Sequence, residues 1–282
     1  MIYCQARHLC YNIFNNMEEK RKYMDNIKII FFDIDGTLID MKKKRISEKT
    51  LDTLIRLKEK NMILGVATGR SPLGLPQFKG MEFDVFLTFN GSYCFNRQQS
   101  IFSNPIPTDD VKKIISNAAS INRPVSIATK EKLVSNGKDE DLVEYHSFAN
   151  LEVIIDDNFD DVLNNNDIYQ VLAGCHKKDY PELMKNISHA KITAWWDRAV
   201  DIIPTSSSKG IGIDKILKYY HLDKSEALAF GDGNNDIEML QAAGTGIAMG
   251  NASKELKTVA DGVCGNVEND GIYYYCMEHG LI

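Results

Sequence analysis

No apolar run in the chain approaches the ~20 residues needed to cross a bilayer as a helix, so nothing in the sequence marks a membrane-spanning segment. Positive charge is also short: 33 Lys and Arg face 39 Asp and Glu, for a net charge of −6 at pH 7. That balance argues against nucleic acid or an anionic membrane as a partner, although a local cationic pocket can still hold a phosphate. Cys4, Cys10, Cys94, Cys175, Cys264 and Cys276 are scattered, with no Cys-x-x-Cys and no paired histidines. A zinc site is therefore not expected. A chain of 282 residues folds without disulfides, so free thiols in a reducing compartment are expected. The six histidines form no ligand cluster and read as solvated or structural. Gln5, Arg7, His8, Asn12, Asn15 and Asn16 interrupt any secretory signal, and a cytoplasmic location is expected. Residues 1–26 are expected to be a leader: disordered, a short helix, or an upstream translation artefact with Met17 or Met24 as the start. Repeats and low-complexity tracts are lacking.

What the chain does have is a run of apolar residues that stops at two acids. Ile29-Ile30-Phe31-Phe32 is followed by Asp33-Ile34-Asp35-Gly36-Thr37. A short apolar run bounded this way reads as a strand buried on both faces, with carboxylates at its C-terminal tip. Open α/β sheets bind ligands at such tips. If Asp33 and Asp35 continue the strand, they lie about 6.6 Å apart on one face at ~3.3 Å per residue. Their repulsion is then about 2.5 kcal/mol at an effective dielectric of ~20. A cation is needed there, and two hard oxygen ligands with room for water and a phosphate suit Mg²⁺. Asp-Gly-Thr is also ordinary turn material; the buried strand before it weighs against that reading.

A second unit of this kind follows later. Ala227-Leu228-Ala229-Phe230 ends in Gly231-Asp232-Gly233-Asn234-Asn235-Asp236 before a helical pattern at Ile237, Met239, Leu240 and Ala243. Helix capping explains Asn235 or Asp236, but not Asp232 at the end of a buried strand. Between the two units, the strand at 62–67 ends in Thr68-Gly69-Arg70, a hydroxyl and a guanidinium at a strand tip. Ser206-Ser207-Ser208-Lys209-Gly210 opens a helix, placing Lys209 where anions are favoured. Singly, Thr68 is equally a cap and Lys209 equally a solvated side chain.

In this order the four segments resemble the motifs of the haloacid dehalogenase superfamily of phosphotransferases. Phe89-Asn90-Gly91 and Ala248-Met249-Gly250-Asn251-Ala252 are similar to its Cof-like sugar-phosphatase branch, and the resemblance covers about residues 27–280. It implies an aspartyl-phosphate mechanism with Asp33 as nucleophile and Asp35 as general acid and base. By the same resemblance, Thr68, Lys209 and the Gly36 backbone N–H grip the phosphoryl oxygens. The Asp33 side chain, the Asp35 backbone carbonyl and Asp232 hold Mg²⁺, supported by Asn235 and Asp236. Arg70, Asn90 and Arg198 are the candidates for polar substrate contact, with an Asp197 pairing as the alternative for Arg198.

The elements alternate as a doubly wound parallel sheet of the α/β class requires. Strands are expected at 27–32, 62–67 and 83–88, with helices opening near Ser47 and Thr108. After Gly91 the texture changes: residues 100–107 read as polar and proline-punctuated. Strands are expected at 125–128, 151–155, 168–173 and 191–195, with helices around 141–149 and 181–187. The division expected is a core at 27–91 and 199–282 with an inserted α/β cap at 92–198, which would exclude water and confer specificity. Of Trp195 and Trp196, one is expected in a core and the other outward or toward the cleft. Tyr273, Tyr274 and Tyr275 are expected to pack a C-terminal helix on the sheet with at least one ring exposed.

The function expected is a Mg²⁺-dependent phosphatase of a small phosphorylated metabolite, a sugar phosphate first and a phosphorylated cofactor second. A non-catalytic regulator resembling a phospho-receiver is the alternative from another class. Asp35 separates the two, because a receiver needs an acceptor acid but no positioned acid-base partner.

Overall fold

The computed structural model describes Met24, residues 26–194 and residues 196–282. The expectations for residues 1–23, including Cys4, Cys10, His8 and Met17, and for Trp195 lie outside the described residues. Two sheets organise the rest. The larger has eight strands in the order β13-β12-β11-β1-β2-β3-β4-β5. Its members are β1 (Ile29–Phe32), β2 (Ile63–Ala67), β3 (Val85–Thr88), β4 (Tyr93–Asn96), β5 (Ser100–Ser103), β11 (Ala227–Gly231), β12 (Thr245–Ala248) and β13 (Gly262–Val263). Pairings from β13 through β3 are parallel, and β4 and β5 extend the edge antiparallel.

All four residues of β1 are buried, which accounts for its unbroken apolar run, and Phe32 stacks on Phe230 with centroids 5.4 Å apart. The chain leaves β1 toward β2 and β3 on one side and returns as β11 and β12 on the other. The crevice beyond the tips of β1 and β11 is thus the topological switch point, where open α/β sheets bind ligands. The helix Glu48–Glu59 begins as expected, with Ser47 accepting from the Thr50 N–H at 3.0 Å. The helix Gly271–Glu278 buries Tyr275 and leaves Tyr274 exposed.

The smaller sheet has the order β7-β6-β8-β10-β9 and is antiparallel throughout. It comprises β6 (Val125–Ala128), β7 (Leu133–Ser135), β8 (Gln170–Gly174), β9 (Ala190–Thr193) and β10 (Ala199–Pro204). Period-two alternation divides its faces. Val171, Ala173, Val200 and Ile202 pack into one cluster with Val111 and Ile114 of the helix Thr108–Ser120. Gln170, Leu172 and Asp201 belong to the opposite face, which lines a cavity shared with the larger sheet.

Sheet membership differs from the expected division at both ends. Residues 93–103, expected beyond the core, form a hairpin hydrogen-bonded to β3. Residues 199–204, expected to resume the core, are instead the strand β10 between β8 and β9. The strand expected at 151–155 reduces to one bridge between Ser135 and Ile155, with Ile154 and Ile155 exposed. The helix expected at 181–187 runs only Tyr180–Leu183, and the chain passes through a left-handed Asn186 (φ 60°). Among the described residues no helix is long and apolar enough to cross a membrane.

Candidate active site

Three strand tips and one helix start meet at the switch point. Asp33 follows β1, its backbone N–H donating to the Phe230 carbonyl at 3.0 Å and so locked to β11. Asp232 follows β11, and Thr68 follows β2. Lys209 is the first residue of the helix Lys209–Tyr220, capped by Ser208. Its ammonium is fully buried and sits 2.5 Å from both Asp33 Oδ1 and Asp236 Oδ1. The other oxygen of Asp236 accepts the backbone N–H groups of Asp232 and Gly233, each at 2.9 Å. Asp236 therefore holds both Lys209 and the loop that presents Asp232. Thr37 donates to Asp232 Oδ1 at 3.1 Å, and Asn251 donates to the Gly36 carbonyl at 2.8 Å.

Two glycines in this neighbourhood are steric requirements. At Gly36 (φ +90°) a Cβ would lie 2.1 Å from Asp232 Oδ2, and at Gly91 (φ +92°) it would lie 2.0 Å from the Ser208 carbonyl. Only glycine allows these approaches without strain. Phe89 and Asn90 also have φ of 51°, a costly conformation for a phenylalanine. The strained turn sets Asn90 on the cavity wall, where its Oδ1 accepts from Asn235 Nδ2 at 3.1 Å.

The charges do not balance. Asp33, Asp35, Asp232 and Asp236 face the cations Lys209 and Arg70, so four negative charges meet two positive ones. Burial pushes the Asp33 carboxyl well above its ordinary range; Lys209 opposes this, and Asp236, Asp232 and Asp35 add to it. Burial and Asp236 push Asp232 up to about 7, against Thr37 and Lys209. For Lys209, burial alone would lower the pKa, but Asp236 and Asp33 outweigh it and raise it. Oxygen atoms of Asp33, Asp232 and Asp236 lie within 4.8 Å of one another. An all-oxygen donor set with two uncompensated charges fits a hard divalent cation.

The site residues expected from sequence thus gather in one crevice, but two are engaged differently. Arg70, expected to reach substrate, lines the cavity and forms a fork with Asp35, at 2.8 Å from Nε and 2.6 Å from the terminal nitrogen. Asp35 supplies the planar acceptor pair that a guanidinium matches best. Arg198 pairs with neither substrate space nor Asp197. It bridges Asp141 and Glu144 and lies 5.0 Å from the Trp196 ring. Trp196 packs parallel to Tyr145 and edge-on to Phe148.

Asp201 and Gln170 of the crevice escaped the sequence reading. Asp201, in the middle of β10, is 5% exposed and lines a cavity of about 300 Å³ that also touches Asp33, Asp35, Thr68 and Asp232. Tyr145 donates to its Oδ1 at 3.0 Å. The available signal was a lone acid inside Ala-Val-Asp-Ile-Ile-Pro, a strand otherwise apolar. Burial pushes the Asp201 carboxyl up to about 7, against hydrogen bonds from Tyr145, Gln170 and Asn90 that favour the ionised form. A folded-state pKa raised above the ordinary 3.8 means that stability is fully present below about pH 4 and is lost as pH rises through about 7. Asp201→Asn cannot ionise. It is expected to raise the thermal unfolding midpoint over wild type at pH 8 and to lose that advantage near pH 4. The same difference at both pH values would show that ionisation of Asp201 is not its source.

A doubly wound sheet with this acidic crevice, and a second α/β unit over it, defines an enzyme of the phosphatase class. The family model for haloacid dehalogenase-like hydrolases matches residues 30–276, and the chain belongs to that superfamily, in its Cof-like branch. It is 32% identical over 262 residues to the putative phosphatase YkrA of Bacillus subtilis, across 90% of this chain and 98% of that protein. It is 29% identical over 265 residues to the 5-amino-6-(5-phospho-D-ribitylamino)uracil phosphatase YitU of the same organism, across 89% of this chain and 97% of that one. The solved structure of the HAD subclass IIB sugar phosphatase BT4131 superposes with a TM-score of 0.81 at 28% identity, covering 90% of this chain and 100% of that one.

Proposed function

We propose that this phosphatase is a Mg²⁺-dependent hydrolase of small phosphate monoesters working through an aspartyl-phosphate. The observation that carries the reading is Lys209, buried between Asp33 and Asp236 at the tip of β1. Asp33, Asp232 and the Asp35 carbonyl would hold the Mg²⁺, with Asp236 supporting from behind. When bound, the ion would supply positive charge to oxygens that become more negative during transfer.

The protein's own groups do the rest. An Asp33 oxygen attacks phosphorus, and the bond to the leaving oxygen breaks as Asp35 delivers a proton to it. Asp35, now a carboxylate, takes a proton from water, whose oxygen attacks the same phosphorus and releases phosphate while Asp33 is regenerated. Lys209, the Thr68 hydroxyl and the Gly36 N–H steady the phosphoryl oxygens. The cavity between the two sheets receives the leaving group. The inserted unit is the cap, and relatives named for sugar and for ribitylaminouracil phosphates support a small organic leaving group.

Phosphate release from a panel of phosphomonoesters tests the reading. Turnover is expected with Mg²⁺, to vanish on chelation, and to return when Mg²⁺ is restored. A stable phosphoprotein with no phosphate release would instead favour the phospho-receiver reading.

A further inference from the structure

The cap wall of the cavity has few polar side chains. Leu133, Tyr145, Phe148, Leu151 and Leu172 make it largely apolar, and Asp201, Gln170 and Thr193 stand among them. Tyr145 and Phe148 are braced by Trp196, at 6.0 Å with rings parallel and at 5.2 Å edge-on. No Lys or Arg from the cap lines the cavity among the described residues. The one histidine there, His146, is 3% exposed, bonds to Ser126 at 3.0 Å, and is held below its ordinary pKa by burial.

Each feature excludes something. A polyol placed against apolar side chains would leave hydroxyls without partners, a cost incurred for each one. A second phosphate or a carboxylate on the leaving group would meet the Asp201 carboxylate with no cap cation to offset it. What fits is a flat body that buries well against aromatic and leucine side chains and offers hydrogen-bond donors to an acceptor. Once ionised, above about pH 7, the Asp201 carboxylate has about four acceptor positions, more than Tyr145, Gln170 and Asn90 fill.

We propose that Asp201, seated with Gln170 in this apolar wall, selects leaving groups that present hydrogen-bond donors on a flat, uncharged aromatic or heteroaromatic ring. The proposal rests on the phosphatase reading and narrows its substrate class. Gln170 also donates to the Gly69 carbonyl at 3.1 Å, tying the cap strand β8 to the Thr68 loop. The recognised ring and the phosphoryl grip are therefore held in fixed relation, the condition for binding energy to act at the reacting centre.

The test compares kcat/KM for 3-aminobenzyl phosphate, benzyl phosphate, a hexose 6-phosphate and a hexose 1,6-bisphosphate, all with Mg²⁺ at pH 8, where Asp201 is ionised. Wild type is expected to favour the aminobenzyl over the benzyl ester by about tenfold, the size of one hydrogen bond to a charged acceptor, and to turn over both hexose esters less well. Asp201→Asn is expected to shrink the aminobenzyl-to-benzyl ratio to about threefold or less. A merely structural Asp201 would lower both rates in proportion and leave that ratio intact, which overturns the assignment. Should the variant not fold, a wild-type ratio near one, or a hexose ester preferred to both ring esters, overturns it equally. Absence of turnover on all four esters would instead overturn the phosphatase reading beneath it.

Discussion

Asp33→Asn is expected to lower kcat by at least about 10⁴-fold on any competent phosphomonoester, while the protein melts at the same temperature as wild type or higher. The two halves of that expectation have separate causes. An amide oxygen in place of the carboxylate removes the attacking group, and losses of this order follow when a nucleophile is deleted. Stability holds because the strand contacts of residue 33 are made by its backbone N–H to the Phe230 carbonyl. The substitution also removes a charge that burial disfavours most and that Asp236, Asp232 and Asp35 disfavour further. Lys209 keeps Asp236 as a partner. Turnover within tenfold of wild type would remove Asp33 from the nucleophile role.

Lys209→Met should act with the opposite sign on stability. The side chain is similar in length, but the cation between Asp33 and Asp236 disappears from a fully buried position. Breaking a buried ion pair by removing one partner costs about 3–5 kcal/mol, because the remaining charges are left without compensation. A large fall in melting temperature is expected, together with a loss of about 10²–10³ in kcat for one electrostatic donor removed from the phosphoryl group. Combining Lys209→Met with Asp33→Asn should recover part of the stability, since the two side chains are in direct contact and their effects cannot add. Wild-type stability in Lys209→Met would show that Lys209 is not the counter-charge of this crevice.

The same contrast between local and distant interactions separates what could be read beforehand from what could not. Ile29–Phe32 and Ala227–Gly231 were legible as strands because a buried parallel strand is a short apolar run that ends where solvent begins. The acids at their tips, the helix start at Ser47 and the position of Lys209 at the head of its helix are likewise set within a few residues of chain. The hairpin at 93–103 joins the larger sheet and the strand 199–204 the smaller, which differs from the expected division. Which sheet a strand joins depends on partners far away in sequence, and β10 lies between strands that its own residues do not specify.

By itself, then, the sequence determined the strand tips, the order of the chemical motifs and the family, since each is written in contiguous residues whose pattern follows from backbone period and burial. The tertiary structure alone decided that Arg70 clasps Asp35, that Arg198 pairs with Asp141 and Glu144, and that Asp201 turns into the cavity beside Tyr145 and Gln170. Those outcomes depend on which charge lies within a few ångströms after folding, and proximity between distant segments is created by packing.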